Sequence, residues 1–353
     1  MSSTDPVRPR LIGVGTAVPP VSYTQDRLLD IFGIADAKVR GVFMNGGIRR
    51  RHLSLAPAGA DGRPGPESQG DLLRKHVAVG VEIGRAALDA CLAEAGATRA
   101  DVRYLCCVSS TGFITPGLSA LLIKELGLAT DCARLDVVGM GCNAGLNGLA
   151  AVAGWTGTHP GSLAVMLCVE VCSATYVFDG TMRSAVVNSL FGDGAAALAV
   201  VAGEDGAGPV VLRSASRIIP EAVDAMRYDW DEHFGRFSFY LDPDIPYVIG
   251  AHAEGAIQAL LHGTGLHRSD IAHWVVHSGG RKVIDAVRVN LGLTRHDLRH
   301  TLDVLRDYGN LSSGSFLFSY RNLVRERAPE PGEHAVAMTM GPGSTIEAAL
   351  LRW

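Results

Sequence analysis

The chain has 353 residues, 47% apolar and 19% charged, which is enough for one large or two medium domains and too apolar for disorder or a small disulfide-held scaffold. Its 32 basic and 36 acidic residues leave a formal charge of −4 without a basic cluster, so the electrostatic footprint of a nucleic-acid binder is missing. The polar start MSSTDPVRPR lacks the apolar stretch of a secretory signal and predicts a cytoplasmic protein, whose seven cysteines, none in CxxC spacing, stay reduced and hold no structural zinc.

In chain order, the pattern predicts a strand over 11–18, a helix over 25–33, a Pro/Gly-rich loop over 56–70 and a long amphipathic helix over 71–96. The apolar positions Leu72, Leu73, Val77, Val81, Ile83, Leu88 and Leu92 carry that helix. A strand at 102–109, a helix at 117–126 and a short strand at 135–138 follow. Residues 137–169 then contain no Asp, Glu, Lys or Arg, a longer run than a membrane span requires. Asn143, Asn147, Thr156, Thr158 and the His159-Pro160-Gly161 turn interrupt it. The run therefore reads as a helix buried on all sides, then a buried strand at 163–171. A helix at 182–190 and a strand at 195–202 complete the first half.

The second half repeats the alternation: strand 209–214, helix 247–262, strand 273–277, helix 279–290, helices near 296–306 and 311–326, and strands 335–340 and 345–351. This is an α/β pattern with a mostly buried sheet, in two pseudo-symmetric halves, 1–205 and 206–353. Each half has a strand that turns through glycine into a helix at a reactive side chain, Cys142 in one and His277 in the other. Each closes with a Gly-x-Gly hinge, Gly192-Asp193-Gly194 and Gly341-Pro342-Gly343. This similarity pairs Cys142 with His277 as the reactive side chain at a strand end of each half.

Cys142 in GMGCNAG lies between a strand end and a helix start, where a helix dipole favours an anion. A thiol of pKa near 8.5 needs a drop of about 2.5 units, roughly 3.4 kcal/mol, to be mostly thiolate at neutral pH. A helix terminus supplies about 0.3–2 kcal/mol. The remainder calls for a cation, and an imidazolium is the natural one; the plain alternative is a structural buried cysteine. A dinucleotide fingerprint is excluded by the G-x-G-x-x-x-G spacing, and a hydrolase elbow by Met140 where glycine is required. His277, after His273-Trp274-Val275-Val276, emerges at the carboxyl end of a buried strand or is a satisfied core residue. Asn310 in YGNLSSGS is a reactive-site amide or a helix cap. Asp229, Asp231, Glu232, Asp242 and Asp244 read as solvated loop, with no metal site.

Taken together, Cys142 in GMGCNAG, His277 in WVVHSGG, Asn310 in YGNLSSGS and the terminal GPGSTIE resemble the chalcone synthase-like type III polyketide synthases over nearly the whole chain. The segments SSTGFITPGLSALLIKELG, DAMRYDWD and RFSFYLDP are similar to a bacterial branch rather than to its plant members. The resemblance implies a thiolase-like fold, its two halves forming a layered αβαβα core. It also implies a homodimer that needs no metal or other cofactor, binds neither membrane nor nucleic acid, and works beside accessory pathway proteins.

Site roles follow from the same resemblance. Cys142 becomes the acyl-accepting nucleophile, its thiolate fraction raised by His277, and His277 with Asn310 hydrogen-bonds the thioester oxygen of malonyl-CoA. Phe191 and Phe239 wall the CoA tunnel and cavity. Gly341, Pro342 and Gly343 shape its floor, with Met340 in place of the plant phenylalanine. Lys38 and Arg40 reach CoA phosphates, Asn45 standing where a further lysine is expected, and Thr115 points toward the neighbouring subunit. Four malonyl units, condensed in three decarboxylative steps and closed from C8 onto C3, give a ring with two hydroxyls and a CH2-CO-S-CoA arm. Two other readings stay open. An initiating ketoacyl-carrier-protein synthase usually has His-Gln-Ala-Asn where this chain has His277-Ser278-Gly279-Gly280, and a catalytically silent relative would serve as a binding subunit.

Overall fold

The computed structural model describes residues 7–60, 62–203, 207–326 and 329–353. The first half supplies β1 (Pro9–Ala17), β2 (Ser22–Thr24), α1 (Gln25–Ile31), α2 (Ala37–Met44), β3 (Arg50–His52), α3 (Gln69–Ala95), β4 (Val102–Ser109) and α4 (Leu118–Leu126). It continues through β5 (Ala133–Val138), α5 (Ala144–Thr158), β6 (Leu163–Glu170), α6 (Met182–Leu190) and β7 (Gly194–Ala202). The second half opens with β8 (Val210–Ile218), β9 (Met226–Asp231), β10 (Arg236–Leu241), α7 (Ile245–Leu261), β11 (Ile271–Val276) and α8 (Arg281–Asn290). It closes with α9 (Arg299–Tyr308), α10 (Ser315–Glu326), β12 (His334–Gly341) and β13 (Thr345–Arg352).

Strand alternation creates the layers. Along β4, Cys106 and Val108 face one core with α5 and α10, whereas Leu105 and Cys107 face another with α3 and α4. On the far side of α5 and α10 lie Ala335, Ala337, Ala349 and Leu351 of β12 and β13. The opposite faces of those strands, with Val336, Met338, Ala348 and Leu350, pack on α7 and α8. The succession is helix, sheet, helix, sheet, helix, the expected αβαβα arrangement. α3 spans the outer face between a capping box at Ser68 and Asp71 and a left-handed Gly96 (φ 65°).

Nine strands run in the order β11-β12-β13-β8-β1-β7-β6-β4-β5. In one half β4 is parallel to β6, β6 antiparallel to β7 and β7 antiparallel to β1; in the other, β11, β12, β13 and β8 repeat that sequence of senses. This corrects the expected equivalence of Cys142 and His277. His277 follows β11, the counterpart of β4, whereas Cys142 follows the additional edge strand β5. The counterpart of Cys142 is Asn310: Cys142 lies in the 3-10 turn Gly141–Asn143 and Asn310 two residues before the 3-10 turn Ser312–Gly314, and these turns run into the central helices α5 and α10. The expected boundary between 205 and 206 lies outside the described residues.

Two further expectations change. α5 is not buried on all sides, because Ala150, Gly154 and Gly157, at i, i+4 and i+7, are exposed along one stripe. The segment with Asp229 and Asp231 is no loop: β9 and β10 pair antiparallel, Tyr228 opposite Phe239 and Trp230 opposite Phe237, with Met226 and Phe239 buried. Its carboxylates had masked the period-2 apolar pattern. Among the described residues no helix is long and apolar enough to cross a membrane, and no His/Cys/Asp/Glu group is arranged to hold a metal.

Candidate active site

Cys142 is the partly exposed member of seven free cysteines; the other six are buried. Its turn is fixed from three directions. Gly141 N donates to Ser110 Oγ (2.8 Å), at the end of β4. Thr339 Oγ1 of β12 donates to Asn143 O (3.3 Å). A Cβ on Gly341 would lie 2.3 Å from Asn143 Oδ1 and 2.9 Å from Cys142 N, and one on Gly141 would lie 2.3 Å from Pro342 Cδ, so the two glycines let the strand end press on the turn.

The thiol donates to Ser312 Oγ (3.7 Å) and has the Asn310 side chain as a second hydrogen-bond partner. Asn310 Oδ1 accepts from Ser312 N (2.8 Å) and Ser315 Oγ (3.4 Å). Those two donors assign the amide, so Nδ2 is the face presented to the thiol. Asn310 and Phe191 form an isolated β-bridge, and Ser278 Oγ, next to His277, donates to Gly309 O (3.3 Å). His277 N donates to Met338 O (2.9 Å). The thiol and the amide are thus neighbours, and the imidazole segment is tied to that of the amide through Ser278 and Gly309.

The electrostatics differ from the sequence expectation. Desolvation pushes the Cys142 thiol up to about 12; the bond with Ser312 works against this, the charge of Glu170 adds to it, and Asn310 opposes it. Burial lowers His277 to about 3, and its Nδ1 has no partner. Resting thiol and imidazole are therefore both favoured as neutral species, and an ion pair between them must overcome the desolvation of both.

Among the expected wall residues, Phe191, Phe239 and Met340 are buried in one apolar cluster that Cys142 joins, and Gly341 and Pro342 touch its turn. Gly343 follows at φ 75°. Three expected residues are not brought to the thiol. Thr115 is exposed before a cis peptide to Pro116, Lys38 is exposed at the start of α2, and Arg40 Nη1 donates to Ile34 O (3.1 Å). Asn45 is exposed as well.

Sequence reasoning missed Glu170, the first charge after the uncharged run. It is fully buried, its Oε1 accepting from Ser313 Oγ (2.5 Å) and its Oε2 from Ser110 N (3.0 Å), and burial raises its pKa. A single acid closing so apolar a strand was the available signal. Arg51 was missed too: fully buried, it donates to Gln25 Oε1, Asn188 O and Phe191 O and so holds the backbone of Phe191. Tyr176 and Tyr228 complete an aromatic box with Phe191 and Phe239, Tyr176 stacking on Phe191 at 4.1 Å.

Residues 8–206 match the family model for the N-terminal domain of chalcone and stilbene synthases, and residues 211–353 match that for the C-terminal domain. A 3,5-dihydroxyphenylacetyl-CoA synthase of Streptomyces toyocaensis is 65% identical, the match covering 99% of this chain and 91% of that protein. One from Amycolatopsis orientalis is 64% identical over 98% of this chain and 93% of its own length. The crystal structure of 1,3,6,8-tetrahydroxynaphthalene synthase from Streptomyces coelicolor A3(2), a bacterial type III polyketide synthase, superposes with a TM-score of 0.88 at 27% identity, covering 98% of this chain and 99% of that one. With both family domains matched in order over nearly the whole chain and 65% identity to a synthase of this kind, the chain belongs to the chalcone and stilbene synthase family of type III polyketide synthases.

Proposed function

We propose that this protein is an acyltransferase that condenses four malonyl-CoA into 3,5-dihydroxyphenylacetyl-CoA, acting as a homodimer. What carries the reading is the 65% identity to a synthase of that name over 99% of the chain, joined to a thiol whose hydrogen-bond partners are Ser312 and Asn310. Cys142 gives up its proton to the His277 imidazole and attacks the thioester carbonyl of malonyl-CoA or of the growing acyl-CoA; the C–S bond to CoA breaks, and CoA leaves as the thiol on taking that proton. A second malonyl-CoA loses CO2, and the enolate carbon attacks the Cys142-bound carbonyl; the C–S bond breaks and the thiolate leaves. Donors at His277 and Asn310 aimed at the enolate oxygen are each worth about 2.7–4 kcal/mol in such sites. Losing CO2 needs no general base, which agrees with a buried acid, Glu170, that accepts hydrogen bonds from Ser110 and Ser313.

The carbon count agrees with the product. Four malonyl units bring 12 carbons and lose four as CO2, three in the condensations and one from the carboxyl of the starter, leaving eight. Ring closure joins C8 to C3, and the C3 oxygen leaves as water. Phe191, Phe239, Met340, Gly341, Pro342 and Gly343 shape the cavity in this reading, and Lys38 and Arg40 are the residues proposed toward the CoA phosphates. The dimer is supported by β5, an edge strand of the sheet, at whose end Val138 (44% exposed) and Met140 (37%) are exposed. An uncovered strand edge with exposed apolar side chains favours association.

Purified protein incubated with malonyl-CoA alone, its products identified by mass, tests the substrate reading. The eight-carbon thioester is expected; turnover only with malonyl-carrier protein would replace it with the ketoacyl synthase reading.

A further inference from the structure

Inside the apolar cluster that holds Cys142, Phe191, Phe239 and Met340 are two hydroxyls that neither the nucleophile nor its partners use. Tyr228 Oη lies 3.0 Å from Ser110 O and 3.2 Å from Tyr176 Oη. Two phenols carry two protons, and each O–H donates once. With Tyr176 donating to Tyr228 and Tyr228 to Ser110 O, both protons are used and both oxygens keep a lone pair. With Tyr228 donating to Tyr176 instead, the Tyr176 proton is released toward whatever lies beside it. The pair is a donor that can be turned on without moving either ring.

The setting makes that donor useful. Tyr176, Phe191, Cys172 and Asn188 line a cavity of about 450 Å³, and Tyr228 lines a small cleft with Ser110, Thr111 and Thr175, so the hydroxyl pair stands at the partition between them. Asn188 Nδ2 donates to Tyr176 O (2.7 Å), which fixes its amide, and its buried Oδ1 has no partner. A buried acceptor without a donor calls for a ligand or water to satisfy it. Burial holds both phenols far above their usual pKa, with the neighbouring ionisable groups adding to the effect, so they remain O–H donors and never bases at neutral pH. A switchable donor and an orphan acceptor, the phenols in the apolar cluster that Cys142 joins and walled by aromatic rings, match a chain of alternating carbonyl and enol oxygens.

We propose that Tyr176 and Tyr228 bind a β-keto oxygen of the full-length chain that the last condensation leaves on CoA, with Asn188 Oδ1 accepting from an enol of the same chain, and thereby steer it to carbocyclic closure rather than release as a lactone. The inference rests on the polyketide reading above and adds to it the groups that select the fold of the chain. The alternative fate needs no enzyme group: an enol oxygen attacks the thioester carbonyl, the C–S bond breaks, and a pyrone leaves.

The test is the partition between aromatic product and pyrones per chain released, measured by mass for wild type, Tyr228→Phe and Tyr176→Phe with malonyl-CoA. Phenylalanine keeps the ring packing and removes only the hydroxyl. The ratio is expected to fall tenfold or more in Tyr228→Phe, with a smaller fall in Tyr176→Phe; a wild-type ratio in both overturns the proposal. Where one variant fails to fold, judged by its thermal melt, the other decides. Wild-type protein that makes a different polyketide removes the proposed product and leaves the pair to be judged on how the variants redistribute that product. An unchanged distribution removes the pair and leaves the product standing.

Discussion

Phe191 and Asn310 are joined as a parallel β-bridge, Gly192 N donating to Asn310 O (3.0 Å) and Asn310 N to Leu190 O (2.9 Å). The ring that walls the cavity and the amide that faces the thiol are therefore parts of one backbone unit, so the donor's aim is set by two segments far apart in the chain.

Asn310→Ala is expected to cut malonyl-CoA decarboxylation by two or more orders of magnitude, the loss of a donor worth about 3 kcal/mol. Asn310→Asp keeps an acceptor for Ser312 N while removing the Nδ2 donor, and should fall as far. Release of labelled CO2 measures both; an unchanged rate in either refutes the donor role.

Cys142→Ala is expected to abolish polyketide product and retain measurable decarboxylation, since enolate formation depends on the oxygen donors and chain transfer on the thiol. Simultaneous loss of both activities would assign the thiol a part in CO2 release as well.

His277→Gln is expected to slow iodoacetamide labelling of Cys142 at pH 7 by about tenfold or more, because the thiol, pushed up to about 12, needs an acceptor for its proton. Equal labelling rates in the variant and wild type would mean that the imidazole plays no part in thiol ionisation.

Gly341→Ala places a methyl 2.7 Å from Asn143 N and 2.9 Å from Cys142 N, both backbone atoms that cannot swing aside. Overpacking of this kind costs about 1–3 kcal/mol. A lowered Tm together with slower Cys142 labelling is expected; a variant that melts and labels like wild type would show that the turn and the strand end are not in firm contact.

Acid should destabilise the fold in a defined window. Burial lowers His76 to about 4 and His277 to about 3, so below the ordinary histidine value near 6.5 the unfolded chain binds protons that the folded one does not. Stability is whole above that value and falls as pH drops toward 4, by up to about 1.4 kcal/mol per pH unit for each histidine. Urea midpoints at pH 7 and pH 5 should differ less in His76→Met than in wild type, because His76 Nε2 has no partner to lose. An identical pH dependence would exclude His76 as a contributor.

Much of the site was readable before any coordinates, since Cys142, His277 and Asn310 each sit where an element ends and a glycine or capping pattern marks the spot. Glu170, Arg51, Tyr176 and Tyr228 were not, because nothing local marks them. Arg51 looks like one of three surface arginines in Arg49-Arg50-Arg51, yet it is fully buried on carbonyls from α6 and on Gln25. Tyr228 lies among carboxylates that made β9 look like a solvated loop.

Periodicity, caps and turns are short-range properties, and they determined most of the order of strands and helices and offered Cys142, His277 and Asn310 as candidates at element ends; the αβαβα layering and the roles of those side chains came from the family resemblance. Only the folded chain decided that Asn310, not His277, is the counterpart of Cys142, that burial disfavours charge on both the thiol and the imidazole, and that the Tyr228 hydroxyl lies between Ser110 O and the Tyr176 hydroxyl. Strand pairing and desolvation are long-range: a charge is stabilised or suppressed by the segments that pack beside it, and those are chosen by the whole sheet rather than by neighbouring residues.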